Sequence, residues 1–171
     1  SRDELEHLAA TDPLTGIANR RAFMARGLAE WDRCRRHDRA MAVLALDIDH
    51  FKAINDTHGH DVGDEVLRHL VAVCADALRT SDVFGRMGGE EFAVILPETT
   101  ADAAATIAER LRATVADTPY SHGDLSVPLT TSIGLVTGVP DGDGLEDFLK
   151  QADEALYAAK THGRNRVVTA G

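Results

Sequence analysis

The sequence lacks several features that would assign it to a common functional class. Its 18 lysine and arginine residues face 28 aspartates and glutamates, which gives a formal net charge of −10 and a pI near 5.1. A general nucleic-acid binder needs a basic surface, so this charge balance argues against that class. No apolar run is long enough to span a membrane, and no signal peptide opens the sequence. We therefore expect no membrane insertion in this chain.

Cysteine and the familiar catalytic motifs are also scarce. Cys34 and Cys74 lie far apart, outside any cluster of metal-ligand residues, so a reduced, cytoplasmic setting is the simpler interpretation. The sequence has no Gly-x-x-x-x-Gly-Lys-Ser/Thr loop, no Ser-His-Asp pattern and no Cys-x-x-Cys pair. A phosphate-binding function would therefore need a different arrangement of groups.

The apolar pattern predicts a single α+β domain. With 171 residues, 44% of them hydrophobic, the chain can bury a substantial core. Residues 41–48 are almost continuously apolar, as expected of a strand buried on both faces. The order helix-β-α-β-β-α-β-α-β fits a ferredoxin-like βαββαβ sheet with helices on one face. We expect helices at 20–36, capped by Asn19, and at 62–79, 101–116 and 145–160, a polar loop at 56–61, and strands at 83–84, 91–96, 127–136 and 166–168.

Residues 86–92 read Arg-Met-Gly-Gly-Glu-Glu-Phe and predict a tight turn that leads into a strand. Two adjacent carboxylates at the mouth of a hairpin repel each other unless a positive group lies nearby. A divalent metal or a metal-bound phosphate is the natural partner. Taken alone the motif is weak, since acids after a Gly-Gly turn are usually only solvated.

A second acidic segment is expected beside this turn. In the predicted sheet, the strand that ends at Asp47 lies next to the hairpin, so Asp47, Glu90 and Glu91 converge on one edge. Such oxygen ligands suit Mg²⁺ (or Mn²⁺). Asp49 has the same strand parity as Asp47 and is a weaker candidate ligand. The alternative for Asp47 is an acid that caps the following helix.

Cations are expected near the carboxylates. Lys52 lies one helical turn past Asp49, and Lys160 and Arg164 close the last helix. In an acidic protein, this placement fits a polyphosphate site. The alternative for Lys160 and Arg164 is favourable placement at a helix C-terminus.

Five ordered segments of the chain closely resemble the GGDEF family of diguanylate cyclases over essentially its whole length. The Gly-Gly-Glu-Glu-Phe turn corresponds to the segment that gives the family its name, with Glu in place of Asp keeping the carboxylate. Five motifs at family spacing form a specific signal, and the matching segments are 12–15, 46–64, 86–92, 132–135 and 152–165.

The resemblance implies that two GTP molecules condense into cyclic di-GMP with release of two pyrophosphates. By analogy, Asp47, the carbonyl of Ile48 and Glu90 hold Mg²⁺, with Glu91 as an additional ligand. Glu90 is also the family's candidate base for the 3′-hydroxyl proton, and the sequence leaves open whether it acts as base or only as ligand.

The resemblance also implies the substrate contacts. Lys52, Lys160 and Arg164 would stabilise phosphate charge, and guanine recognition maps onto Asn55 and Asp64, because a carboxylate accepts from both N1–H and the exocyclic amine of guanine. Locally, Asp64 also suits a helix N-terminus and Asn55 suits a turn. The remaining GTP-binding positions implied are the backbone amides of His50 and Phe51, together with His60, Gly88 and Gly89.

Regulation and assembly follow from the same resemblance. Arg79 and Asp82 match the family's Arg-x-x-Asp inhibitory product site, and Arg110 falls at its secondary position. One domain holds one GTP, so the reaction needs a homodimer, at least transiently. We expect residues 1–10 to be the end of an upstream signalling helix or linker and 11–171 to be the GGDEF domain, with an upstream sensor outside this sequence and a full-length protein that can be membrane-tethered.

Two alternatives stay open at this point. The first is a catalytically silent domain that acts as a cyclic di-GMP or GTP receptor, against which the intact Asp47, Glu90, Glu91 and Lys52 argue. The second is a related synthase that tolerates adenine, against which Asp64 argues.

Overall fold

The computed structural model describes residues 2–171, without the side chains of residues 3 and 6–8. Within that part of the chain, no helix is long and apolar enough to cross a membrane. The elements in chain order are α1 (Arg2–Ala10), α2 (Arg20–Arg36), β1 (Met41–Ile48), α3 (Phe51–His58), α4 (His60–Asp76), β2 (Val83–Gly88), β3 (Glu91–Leu96), α5 (Ala101–Asp117), β4 (Tyr120–His122), β5 (Leu125–Val127), β6 (Thr131–Gly138), α6 (Leu145–Thr161) and β7 (Val167–Thr169).

The main sheet has the strand order β2-β3-β1-β6-β7. Its first four strands are antiparallel and reproduce the predicted βαββαβ plan, and β7 adds a parallel edge strand beside β6. Strand β1 is central, and every one of its eight residues is buried. The α+β class and the ferredoxin-like plan are therefore confirmed.

The expectation of helices on one face is wrong, because two separate cores cover the two faces of the sheet. Alternate residues of β1, such as Leu44 and Leu46, pack with α4 and α5. The intervening residues, Met41, Val43 and Ala45, pack with α2 and α6. A strand whose side chains are apolar at every position needs cover on both sides.

The polar stretch 56–61 is helical, contrary to the prediction. Helix α3 runs through it to His58, and α4 begins at His60. Gly59 alone makes the corner with φ 90°, a conformation that disfavours residues with a Cβ. Helix α4 ends at Asp76, three residues before the predicted end at 79, so Arg79 lies outside the helix.

The strand predicted over 127–136 is two strands. Strand β5 ends at Val127 and β6 begins at Thr131, because Pro128 has no N–H for a ladder hydrogen bond. Strand β5 pairs instead with β4 in a small hairpin that the sequence prediction missed. The two-residue turn contains Gly123 with φ 57°. The other helices and strands lie close to their predicted positions, and Asn19 caps α2 by accepting from the N–H of Ala22 at 2.9 Å.

Helix α6 packs directly on the backbone of β6 at Gly134. A Cβ at this position would collide with the carbonyl oxygen of Ala152 and the amide nitrogen of Leu156. Both atoms belong to a helix backbone, so neither can move aside as a side chain would.

We predict that Gly134→Ala destabilises the domain by about 3 kcal/mol, the upper part of the range for overpacked cores. Urea denaturation followed by circular dichroism measures the change. Gly142→Ala is the matched control, because no atom lies within 4 Å of a Cβ there, and its effect should stay within about 0.5 kcal/mol. Equal stability of the two variants would contradict the close packing of α6 on β6.

Candidate functional site

A cavity of about 460 Å³ opens where β1 ends and α3 begins. It gathers residues from three separate parts of the chain. These are the β1–α3 junction, the turn between β2 and β3, and the C-terminal end of α6. The lining residues that the sequence singled out are Asp47, Ile48, Asp49, His50, Phe51, Lys52, Glu90, Lys160 and Arg164.

Asp47 is a buried carboxylate whose two oxygens have different surroundings. The Lys160 ammonium forms an ion pair with Oδ2, whereas Oδ1 is buried without a hydrogen-bond partner. Burial raises the pKa of Asp47 above its ordinary value, the Lys160 ammonium opposes the rise, and the charges of Asp49 and Glu90 add to it. Lys160 therefore compensates the buried Asp47 carboxylate only in part, and a further cation in the cavity would stabilise its charged form.

Both carboxylate oxygens of Asp49 accept hydrogen bonds from protein donors. Its Oδ1 accepts from the Ser132 hydroxyl at 2.6 Å. Its Oδ2 accepts from the Thr130 hydroxyl at 2.7 Å and from the backbone N–H of Asn165 at 3.0 Å. The side chain is engaged with protein donors on both oxygens, which weakens the hypothesis that Asp49 is a ligand.

The three predicted carboxylates do not form one cluster. Strand pairing sets Asp47 opposite Glu91, as the predicted sheet requires. Glu91, however, lines a neighbouring cavity of about 350 Å³ together with Asp153, and only Glu90 shares the first cavity with Asp47. Among the described residues, no three His, Cys, Asp or Glu side chains are grouped as a ready metal site. Lys160 lines both cavities and separates the two acidic groups.

The turn that carries Glu90 depends on a residue with positive φ. Gly89 and Glu90 form the two-residue loop between β2 and β3, and Gly89 has φ 50°. Gly88 pairs with Glu91 at the end of the ladder, after a bulge that follows Arg86. Neither glycine lines the cavity with Glu90.

The N-terminal end of α3 faces the cavity without a side-chain cap. His50 precedes the helix with φ 55° and makes no capping bond, so the first N–H groups of α3 lack the usual side-chain acceptor. A left-handed residue followed by helical ones turns successive N–H groups toward one point, an arrangement that binds anions. The Lys52 ammonium lies on the same turn, 3.1 Å from Asp56, with 90% of its side chain exposed.

Two residues that the site prediction missed, Arg86 and Asp12, stabilise the turn that carries Glu90. Arg86 donates from Nε to the carbonyl of Gly89 at 2.8 Å and forms an ion pair with Asp12 at 3.2 Å. Thr15 in turn donates to Asp12 from its backbone and its hydroxyl. Burial acts to raise the pKa of Asp12, but the Thr15 hydrogen bonds and the Arg86 charge outweigh it and hold the pKa below its ordinary value. The signal was present in the sequence, since 12–15 and 86 both belong to the matched motifs.

The residues proposed for guanine do not line this cavity. Asn55 lies at the end of α3, and His60 and Asp64 lie in the first turns of α4. Gly63 leaves the space that the Asn55 side chain fills, because a Cβ there would collide with Asn55 Oδ1. That oxygen is buried and has no hydrogen-bond partner. The α3–α4 corner therefore holds an unsatisfied polar atom beside two exposed side chains.

The predicted inhibitory residues form a compact turn before β2. Arg79 donates from Nη2 to Asp82 at 3.0 Å, and the same nitrogen also contacts the Pro97 carbonyl and the Thr99 hydroxyl. Asp82 is nearly buried and also accepts from the Arg79 backbone N–H at 2.8 Å. Arg110 donates to the carbonyl of Ala77, two residues before Arg79. The structure thus brings Arg79, Asp82 and Arg110 together, away from the cavity.

The comparison with known families decides what these features belong to. The family described as "Diguanylate cyclase, GGDEF domain" matches residues 9–166. The chain belongs to the GGDEF domain family. The predicted family membership is therefore confirmed, and the cavity at Asp47 is lined in part by Glu90 of the Gly-Gly-Glu-Glu-Phe turn.

Named relatives agree with this assignment. The response regulator PleD of Caulobacter vibrioides is 44% identical over 98% of this chain. The probable diguanylate cyclase DgcC of Escherichia coli is 43% identical over 97%. The chain covers only 38% and 44% of these two relatives. The coiled coil and GGDEF domain of DgcB from Caulobacter crescentus, solved in complex with c-di-GMP, has a TM-score of 0.92 and 34% identity, with 99% of this chain and 90% of that chain covered.

The donors of this GGDEF domain fit a divalent metal ion. Asp47 offers a buried oxygen without a protein donor, Glu90 lines the same cavity, and Ile48 contributes backbone to its wall. Hard carboxylate and carbonyl oxygens are the ligands of Mg²⁺, which usually keeps water and takes substrate phosphates besides one or two carboxylates. Asp47 and Glu90 supply the one or two carboxylates that a magnesium site usually contains.

We predict that Asp47→Asn makes the metal-free GGDEF domain more stable at about pH 7. Because the folded pKa of Asp47 is raised, its contribution to stability is fully present below its ordinary pKa of 3.8 and is lost as the pH rises through the folded value. The neutral amide does not titrate, so the gain over wild type should disappear below about pH 3.

Urea denaturation at the two pH values in the presence of a chelator measures the difference. Asp124→Asn, at an exposed carboxylate, is the matched control and should change stability at neither pH. Lower stability of Asp47→Asn at pH 7 would show that the Lys160 ion pair outweighs the burial of the carboxylate.

Proposed function

We propose that this GGDEF domain condenses two GTP molecules into cyclic di-GMP and two pyrophosphates. The observation that supports this most is the cavity at the end of β1, where four acids, three cations and the uncapped start of α3 meet. A polyphosphate with bound metal matches that combination of charges. The printed names of the relatives, "Response regulator PleD" and "Probable diguanylate cyclase DgcC", and the c-di-GMP complex of DgcB point to the same chemistry.

The reaction balances as two identical phosphoryl transfers. The 3′-oxygen of each GTP attacks the α-phosphorus of the other, a P–O bond forms, and the bond to pyrophosphate breaks. Each 3′-hydroxyl loses a proton, for which we propose Glu90 as the acceptor. Glu90 lines the same cavity as Asp47 and the cations proposed to bind the phosphates, which supports this role.

The charged groups of the cavity have distinct proposed roles. The N–H groups of His50 and Phe51 bind phosphate oxygens at the start of α3, and Lys52, Lys160 and Arg164 stabilise charge that develops on the leaving pyrophosphate. Asp47, Glu90 and the carbonyl of Ile48 would hold Mg²⁺ or Mn²⁺, with Glu91 as a further candidate. When bound, such an ion neutralises phosphate charge and polarises the α-phosphate.

Base selection is proposed for the α3–α4 corner. Asn55 is only partly buried in this corner, and its side-chain amide can form hydrogen bonds with guanine. Asp64 can accept from both guanine donors, which adenine does not offer together. His60 in the same turn and the Gly88-Gly89 turn complete the proposed binding surface, so GTP is the proposed substrate over ATP.

Catalysis is proposed to need two copies of the domain. Each chain has one such cavity among its described residues, and each transfer needs a 3′-hydroxyl that a second GTP supplies. Two chains that face each other antiparallel satisfy this requirement by symmetry. Product is further proposed to bind at Arg79, Asp82 and Arg110, where planar guanidinium groups suit phosphates and the Hoogsteen edge of guanine.

Product identification tests the enzymatic proposal. We expect the chain, fused to a dimeric coiled coil and given Mg²⁺ and GTP, to release cyclic di-GMP and pyrophosphate, with no product from ATP. Glu90→Gln, which keeps the size but not the charge, should reduce the rate at least about 100-fold. Chromatography with mass spectrometry identifies the product. Binding of GTP or cyclic di-GMP without any turnover in the forced dimer would favour the receptor alternative.

We predict that Arg79→Ala weakens product inhibition. Loss of a charge-assisted phosphate contact of about 1.5–3 kcal/mol corresponds to about a 10- to 100-fold rise in the inhibition constant for cyclic di-GMP. The measurements are initial rates with added cyclic di-GMP and direct calorimetric titration of product. Arg26→Ala, at an exposed arginine of α2, is the matched control. If Arg79→Ala leaves both constants unchanged, the inhibitory site is wrong.

A further inference from the structure

Asp49 joins three segments of the chain through one buried carboxylate. It follows β1 directly and is only 5% exposed. Its bonds to Ser132 and Thr130 reach the start of β6, and its bond to the Asn165 N–H reaches the loop between α6 and β7. Its own N–H also donates to the carbonyl of Thr130 at 2.9 Å. A loop that is distant in sequence is thus held to the centre of the sheet.

The loop held in this way has an unusual backbone. Arg164 has φ 63° and Asn165 has φ 47°, and consecutive left-handed residues other than glycine cost free energy. Such a conformation persists only where the surroundings hold it. Asp49 receives the N–H of Asn165, and the N–H of Arg164 donates to the carbonyl of Ala159 at 3.0 Å. On the other side of the loop, the carbonyl of Arg166 accepts from Ile133 at 3.0 Å.

The side chain that benefits is Arg164, which lines the cavity with Lys52 and Lys160. Its backbone conformation determines where its guanidinium enters. Without the Asn165 bond, the loop would lose one of the contacts that hold Arg164 and Asn165 in the left-handed region. The arginine would then sample other directions before it met a phosphate, and binding would cost more ordering entropy.

We propose that Asp49 is the positioning residue for Arg164 and presents its guanidinium to the triphosphate of the bound nucleotide. The inference rests on the proposed function only in naming that triphosphate as the anion. Asp49 does not touch the nucleotide, and its effect on binding passes through Asn165 and Arg164. This role differs from metal ligation, because both Asp49 oxygens are already occupied by protein donors.

A replacement series separates positioning from ligation. In Asp49→Asn the amide oxygen can still accept from Thr130 and the Asn165 N–H, while the amide nitrogen can donate to the Ser132 hydroxyl. The clamp therefore survives this substitution, although a carboxylate ligand would be lost. Asp49→Ala removes the clamp altogether. We expect Asp49→Asn to rescue nucleotide binding and Asp49→Ala to weaken it.

The experiment measures the affinity for a GTP analogue with a methylene bridge between the α- and β-phosphates, by calorimetry with Mg²⁺. Four proteins form a cycle: wild type, Asp49→Ala, Arg164→Ala and the double variant. We expect Arg164→Ala to weaken binding about 10- to 100-fold, and Asp49→Ala about 10-fold. The double variant should bind no worse than Arg164→Ala, because Asp49 acts only through Arg164.

A structural readout and a stability control accompany the cycle. Hydrogen exchange of the Asn165 amide should be fast in Asp49→Ala and protected in Asp49→Asn and wild type. Ile95→Ala, in the buried core that contacts α2, destabilises the fold away from this loop. It should leave analogue affinity unchanged, which separates positioning from general loss of stability.

Three outcomes would overturn the inference. Additive effects of Asp49→Ala and Arg164→Ala would show that the two residues act independently. Equal loss of affinity in Asp49→Asn and Asp49→Ala would indicate a charge or ligand role. Unchanged affinity in Asp49→Ala would show no role in binding. If wild type binds the analogue and the cycle is non-additive but GTP gives no cyclic di-GMP, the positioning role stands and the proposed reaction fails.

Discussion

The register between the two central strands is the constraint on which the rest of the site depends. Strand β1 is buried on both faces, and its pairing with β3 sets Asp47 opposite Glu91. A slip of one residue would turn the apolar side chains of β1 toward the wrong core, so the two cores together fix the register. The position of a polar site is therefore determined by apolar packing that extends over the whole strand.

The position at the end of β1 is electrostatically unfavourable for the charged form of Asp47. The same burial that fixes β1 raises the pKa of Asp47 and leaves its Oδ1 without a donor. Lys160 lessens the penalty through Oδ2 and separates Asp47 from the second acidic group at Glu91 and Asp153. Burial also raises the pKa of Asp153, the Glu91 charge adds to the rise, and Arg20 and Lys160 oppose it. The charges of Asp47 and Asp153 thus lower the stability of the fold, and they lie where charged ligands would be most strongly attracted.

The elements predicted correctly are those that a single local sequence feature determines. The apolar run of β1, the Asn19 cap and the tight turn before β3 are local, and the structure contains all three, with the loop at Gly89 and Glu90. The expectation of helices on one face was wrong, although the same run indicates cover on both, because a strand apolar at every position needs a packed layer on each face. The corner at Gly59 and the break at Pro128 each depend on a single residue, which periodicity averaged over a window does not resolve.

Within the candidate site, strand parity made Asp49 a weaker candidate ligand than Asp47, because alternation tells which way a side chain points. It cannot tell what meets that side chain there. The donors of Asp49 come from Thr130, Ser132 and Asn165, between 81 and 116 residues along the chain. By contrast, Arg79 and Gly89 lie close together in sequence, on either side of β2, whose six residues span about 20 Å. This edge strand is fixed by β3 and by Phe23 against Gly85. The proposed product site at Arg79 and the turn that carries Glu90 are therefore joined by a strand that is paired with β3 and packed against α2.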